Sequence, residues 1–266
     1  MLLRRVIEHV KTQNWTAVAL DFLIVVVGVF IGIQVSNWNE VRSERVAAVS
    51  FEQRLGDDLR NQIKEYDAMI DYYESVRGSA SRTLQRLDAG PVLDDEGFLI
   101  DAYRATQYIA LIPLRSTYDE LKASGGLRLI DPVLLRAVSG TFEINEVGER
   151  SARFLDAPYR LNFRQSIDPE IQKMLAQACG DNFEVANAAA GGFGEIQAFP
   201  SISYDCTLDV EPVRLRTAAE TLLGNESIAP ALRFQIVEYD AYIATIQAQR
   251  NFVETGLANW LDQAGR

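Results

Sequence analysis

The run Ala17 to Ser36, AVALDFLIVVVGVFIGIQVS, constrains this chain more than any other stretch. It holds one ionisable side chain, Asp21. As a helix it extends for about 30 Å, the thickness of a bilayer's hydrocarbon layer. Trp15 and Trp38 bracket it, where indole rings favour the headgroup region, and Arg4, Arg5 and Lys11 precede it against Glu8 alone. The positive-inside rule then predicts a bacterial inner-membrane span over residues 17 to 36, a cytoplasmic basic tail over 1 to 16, and a periplasmic region over 37 to 266. The lipid bilayer is therefore the first expected partner. A cleavable signal peptide is the competing reading, but its apolar core is about 7 to 15 residues and is followed closely by a small-x-small site. This run is longer and ends in Asn37-Trp38-Asn39-Glu40, with Ala47-Ala48 lying beyond several charges. A buried core helix is the remaining alternative.

Steps of seven and eleven residues return a helix to nearly the same angle, so Asp21, Val25, Gly28, Gly32 and Val35 share one side of the span. Small residues let helix backbones approach, and an intramembrane acid usually faces protein. Asp21, Gly28 and Gly32 are thus a candidate contact face for a homodimer or a membrane-protein partner. Against this, G-x-x-x-G is common by chance, and Asp21 lies one turn from the span's edge. Before the span, Leu2, Leu3, Val6, Ile7 and Val10 fall opposite Arg4, Arg5, Glu8 and Lys11, a pattern that suits either a helix on the inner leaflet or a frayed basic tail.

The formal net charge of −11 is unevenly spread. Three bases and two acids precede residue 37, which leaves 23 Lys and Arg against 35 Asp and Glu, a balance of −12. Nucleic acid would repel such a surface.

Beyond the span the periodicity is helical. Leu55, Leu59, Ile63, Tyr66, Ile70, Tyr73, Ala80, Leu84 and Leu87 follow three-and-four spacing, with Arg77 interrupting, and predict one helix from about Glu40 to Asp88, stopped by Ala89-Gly90-Pro91. Shorter helices are expected over 94 to 178. These are Asp94 to Ile112; Ser116 to Ser124, opened by a Ser116-x-x-Asp119 capping box and closed by Gly125-Gly126; and Asp131-Pro132 to about Leu155, with Pro158 bending or ending it. Asp168-Pro169 and Glu211-Pro212 open two more. A last helix runs from about Ser227 to Gln263, with Leu232, Ile236, Tyr239, Ile243, Ile246, Val253, Leu257 and Trp260 on its apolar face. The predicted fold is all-α: a single N-terminal transmembrane helix continuing into an antiparallel bundle with long first and last helices. Residues 179 to 209 read as loop, with Ser201 to Leu208 the best candidate strand and Gly191 to Gly194 lacking the Lys and Ser or Thr of a phosphate loop.

Cys179 and Cys206 are the two cysteines. In an exported, oxidising setting they predict a disulfide clamping the loop, the alternative being two free thiols. His9, the one histidine, lies before the span, so no His-based triad or zinc site is expected beyond it. Asp57-Asp58, Asp94-Asp95-Glu96 and Asp119-Glu120 read as helix starts and solvated faces. Tyr66, Tyr72, Tyr73, Tyr239 and Tyr242 suit either a pocket wall or core packing. No catalytic, metal or cofactor-binding residue is assigned, and no cofactor is expected.

The junction Ile33-Gln34-Val35-Ser36-Asn37-Trp38-Asn39-Glu40, together with Leu121 to Ile130 (LKASGGLRLI) and Leu134-Leu135, resembles a bacterial membrane-anchored family of unknown function. Its members have an N-terminal membrane segment followed by Asn-Trp-Asn-Glu and a helical domain. The resemblance implies that architecture and no activity. The expected function is a non-enzymatic envelope interaction or scaffold protein, with a periplasmic sensor or ligand-binding module relaying to a membrane partner as the alternative. A hydrolase using paired carboxylates is a weaker third.

Overall fold

A computed structural model describes residues 15–90, 94–109, 115–144, 146–185, 198–202, 206–263 and 265. The chain divides into two compact units, Met1–Phe51 and Glu52–Arg266. Helix α1, Trp15–Ala89, has residues in both. In the first unit it is long and apolar enough to cross a membrane, and its apolar window is wholly unburied.

The second unit is a helical bundle. Among the described residues α1 is followed by α2 (Asp95–Arg104), α3 (Ser116–Ser124), α4 (Pro132–Phe142), α5 (Glu146–Ala152), α6 (Pro158–Ser166), α7 (Pro169–Cys179), α8 (Pro212–Leu223) and α9 (Ile228–Gln263). Its organising contact is the antiparallel pairing of α1 with α9. Gly56 lies against Trp260, Asp67 pairs with Arg250, Tyr73 stacks edge-on to Tyr242, Arg77 pairs with Asp240 and Asp88 with Arg233. As the number on one helix rises, the number on the other falls by a similar step. Helices α4, α5 and α6 pack on α9, and α2 packs on α7 and α8.

The seam of α1 differs from the expected stripe. The line of the seam is Leu55, Leu59, Gln62, Tyr66, Met69, Tyr73, Val76, Ala80 and Thr83, an unbroken alternation of four and three residues, with Glu65, Tyr72 and Ser79 buried beside it. Ile63, Ile70, Leu84 and Leu87 sit at its margin, half-buried. Two polar residues occupy core positions because neighbours satisfy them: the Gln62 amide donates to Glu65 at 3.0 Å, and the Thr83 hydroxyl to the Ser79 carbonyl at 2.9 Å. Arg77 breaks nothing, since Val76 fills the core position and Arg77 points outward to Asp240. On α9, likewise, Gln235 is buried where Ile236 was expected.

Helix boundaries follow local chemistry. Gly90 stops α1 at φ +93, and Gly125 closes α3 at φ +71, its N–H reaching the Leu121 and Lys122 carbonyls. Asp131 and Asp168 accept N–H bonds at the starts of α4 and α7, each with proline following. The Ser116 capping box does not form: Arg115 is the N-cap, no side chain caps, and Asp119 pairs with Arg115.

The helix expected from Asp94 to Ile112 ends at Arg104, residues 110 to 112 of that range lying outside those described. Beyond it, side chains from other helices take the backbone groups. The Tyr239 hydroxyl donates to Ala105 O, Arg160 to Thr106 O, and the Tyr73 hydroxyl both donates to Ile109 O and accepts from Ile109 N. The helix expected from Pro132 to Leu155 breaks after Phe142, whose carbonyl accepts from Arg115, and resumes as α5 and a 3-10 turn, Arg153–Asp156. Pro158 opens α6 rather than only ending what precedes it.

Residues 179 to 209 are not all loop. Strand β1 (Asp181–Val185) pairs antiparallel with β2 (Ala198–Ile202), Asp181 opposite Ile202. The candidate strand Ser201 to Leu208 overlaps this by two residues, and no strand is assigned from Cys206 onward. Gly191 to Gly194 lie outside the described residues.

Candidate functional site

The expected disulfide is present: Cys179 at the end of α7 is bonded to Cys206, with Cα atoms 5.3 Å apart. Gln107 donates to the Cys179 carbonyl at 3.3 Å, and the Arg104 guanidinium lies 3.5 Å from Cys206 Sγ. The bond therefore ties the two ends of the hairpin segment to the point where α2 ends.

Asp21, Gly28 and Gly32 lie on the apolar part of α1, with open space where a Cβ on either glycine would sit. Trp38 is exposed, and Trp15 begins the helix. Arg4, Arg5, Lys11 and His9 lie outside the described residues. The carboxylate runs are engaged in structural contacts. Asp94 caps α2 through Gly97 N, Asp95 faces Arg216, Glu96 accepts from Leu208 N, Asp57 pairs with Arg60 and Glu120 with Arg54. Among the described residues no group of three or more His, Cys, Asp or Glu is placed to hold a metal.

The tyrosines come together as core. Tyr73 is fully buried among Tyr72, Phe154, Tyr239 and Tyr242, with ring centroids 4.7–5.9 Å away. Each hydroxyl at the centre finds a backbone partner, Tyr242 donating to Val147 O at 3.0 Å. Burial pushes the Tyr239 and Tyr242 phenols well above their usual value. They are donors of fixed position, not acids.

One edge of this cluster opens into a cavity of about 390 Å³. Phe154, Phe234 and Tyr242 are among its lining residues, Phe234 exposed and the other two almost wholly buried. On α9 the lining residues Phe234, Gln235, Glu238 and Tyr242 recur at three- and four-residue steps, so one face supplies them all. Arg150, Arg153, Asp156 and Ala157 line the opposite side from α5 and the turn after it. Arg150 is occupied by the Thr245 hydroxyl and Glu146. Gln235 is 2% exposed and bonds to the Tyr239 hydroxyl. Of these residues sequence reasoning singled out Tyr242 alone. The repeat of polar residues at α9's buried spacing was the available signal.

Glu65, also not singled out, is buried on α1, and the Gln62 amide is its hydrogen-bond partner. Burial raises its carboxyl to about 7, against a smaller lowering by Gln62, and its charge in turn helps burial push the neighbouring Tyr66 phenol up to about 12. No cationic side chain among the described residues pairs with it. The folded protein thus holds a proton that the unfolded chain releases near the ordinary value of 4.5. Stability is full below that value and falls as the pH rises toward 7. Between about pH 5 and about pH 6.5 the loss is roughly 2 kcal/mol. Urea titrations across this range are expected to show that slope in the wild type and its disappearance in Glu65→Gln.

No family model, curated protein or solved structure matches the chain.

Proposed function

We propose that this is a single-pass bacterial inner-membrane protein with a cytoplasmic N-terminus, whose periplasmic helical domain acts without catalysis as an interaction or scaffold module. The observation that carries the reading is the division of α1: a stretch of membrane length that nothing in its own unit buries, followed in the same helix by the seam that builds the bundle. The disulfide supports an oxidising compartment. The basic residues before the span support the orientation, and the Asn-Trp-Asn-Glu junction supports the architecture.

Purification from mild detergent, with and without prior proteolysis from outside spheroplasts, tests it. Outside protease should remove the helical domain, and the untreated protein should carry a stoichiometric envelope partner that the treated stump has lost. A domain protected until the cells are lysed, or a monodisperse protein without a partner, would sink the proposal. The second reading, a ligand-binding module relaying through the Asp21, Gly28 and Gly32 face to a membrane partner, is favoured by the cavity beside α9.

A further inference from the structure

We propose that Arg160 and Arg164, one turn apart on α6, form a seat for a small oxyanion of the carboxylate or phosphate type, held on the open fork edge of Arg160 with Arg164 beside it.

Elsewhere in the bundle guanidiniums meet carboxylates: Arg77 faces Asp240, Arg82 faces Asp101, Arg233 faces Asp88 and Arg250 faces Asp67. Arg160 and Arg164 differ. Both are half-buried, and among the described residues their hydrogen-bond partners are neutral: Arg160 Nη1 donates to the Thr106 carbonyl at 2.6 Å, and Arg164 Nη1 to the Gln172 side-chain oxygen at 3.3 Å. Burial, and after it the charge of Arg164, lowers Arg160 from its usual value, so the two guanidiniums act on each other. Like charges one helical turn apart are disfavoured unless a counter-charge joins them.

Structural duty does not use up their donors. Holding the Thr106 carbonyl takes one nitrogen of Arg160, and Nε and Nη2, which share one edge of its fork, have no bond among the described residues and are not sealed from solvent. Arg164 keeps Nη2 open in the same way, while its Nε is buried without an acceptor. Both side chains are also held in place. Arg160 lies 5.0 Å from the ring centroid of Tyr108, and Arg164 lies 5.5 Å from that of Tyr103, so an anion would meet donors already ordered.

A guanidinium edge presents two parallel N–H groups, which match two oxygens of a carboxylate or phosphate. A halide has no such pair of oxygens, a cation is repelled, and an apolar molecule would bury both charges unanswered. The chain as a whole carries a net charge of −11 and repels anions, so this pair is a local reversal of sign. The inference stands apart from the readings above: binding is measured on the protein itself, with or without a partner.

The test is isothermal titration calorimetry on the full chain in detergent, in chloride buffer at fixed ionic strength, with inorganic phosphate, acetate and succinate as probes. At least one should bind, and which one binds tells a phosphate source from a carboxylate source. Arg164→Gln should weaken that probe roughly tenfold. Arg160→Lys, which keeps the charge and a donor for Thr106 but loses the fork edge, should weaken it by a similar factor. Arg233→Gln, which removes a guanidinium that faces Asp88, should leave the affinity unchanged. Circular dichroism checks that each variant is folded, and Arg160→Lys carries the test alone if Arg164→Gln is not. Absence of binding by all three probes overturns the inference. So does a binder that ignores Arg160→Lys, or one that Arg233→Gln weakens as much, which would read net charge and not this pair.

Discussion

Tyr73→Ala is expected to cost the helical domain about 4 kcal/mol, the range for truncating a fully buried aromatic residue whose neighbours cannot collapse into the space. Tyr73 is 0% exposed and touches four other rings from three elements of the bundle: α1 itself, the turn after α5, and α9. Its hydroxyl also closes both backbone groups of Ile109, at 2.9 Å and 3.1 Å. The truncation therefore opens a void and strands two polar groups together. For a domain of this size the melting temperature should fall by roughly 8–16 °C. Tyr73→Phe separates the two effects: it keeps the ring and loses the hydroxyl, for about 1–2 kcal/mol. If Tyr73→Ala melted within a degree or two of wild type, the aromatic cluster would not be the centre of the core.

Reduction of the Cys179–Cys206 bond is expected to cost nearly as much. The bond closes a loop of about 28 residues, and the chain-entropy account gives roughly 3.5 kcal/mol for that length. The native surroundings favour a full effect, because Cys179 is buried at the end of α7 and its carbonyl is held by Gln107. Thermal melts with and without a phosphine reductant, alongside the Cys179→Ala, Cys206→Ala double variant, measure it. Both routes should lower the midpoint by roughly 7–14 °C and by the same amount. Equal midpoints in oxidised and reduced protein would show that the hairpin contributes nothing to the cooperative unit.

The two predictions differ in how legible their residues were beforehand. An even pair of cysteines beyond a membrane span pointed to a disulfide, because cysteine chemistry depends on compartment more than on fold. The tyrosines were visible as a group, but whether they lined a pocket or filled the core was open. The structure decides for core, with Tyr242 serving both, since only the register of α1 against α9 places Tyr73, Tyr239 and Tyr242 together.

Caps and prolines located most helix starts, because a cap is settled within four residues of chain. Ser116 failed as a cap because Arg115, not Ser116, precedes the first helical turn, and Asp119 pairs with Arg115. The early end of α2 was not legible at all, because its cause lies on three other helices. Tyr73, Arg160 and Tyr239 take the backbone groups of residues 105 to 109 that a longer helix would have used itself.

Read alone, the residues established the membrane-length helix at the N-terminus, an all-α domain framed by two long helices, and a disulfide expected from the number and place of the cysteines. These depend on composition, periodicity and local caps, which act over a few turns. Which polar residues are core depended on the packing of the helices. Gln62, Thr83 and Gln235 have no place in an apolar periodicity, yet each is buried with its polar group bonded to a neighbour. Burial of a polar side chain costs free energy unless a partner is supplied, and the partner's position is a property of the fold. For the same reason the raised carboxyl of Glu65 was invisible in the sequence: it depends on how the packing around α1 buries that side chain beside Gln62.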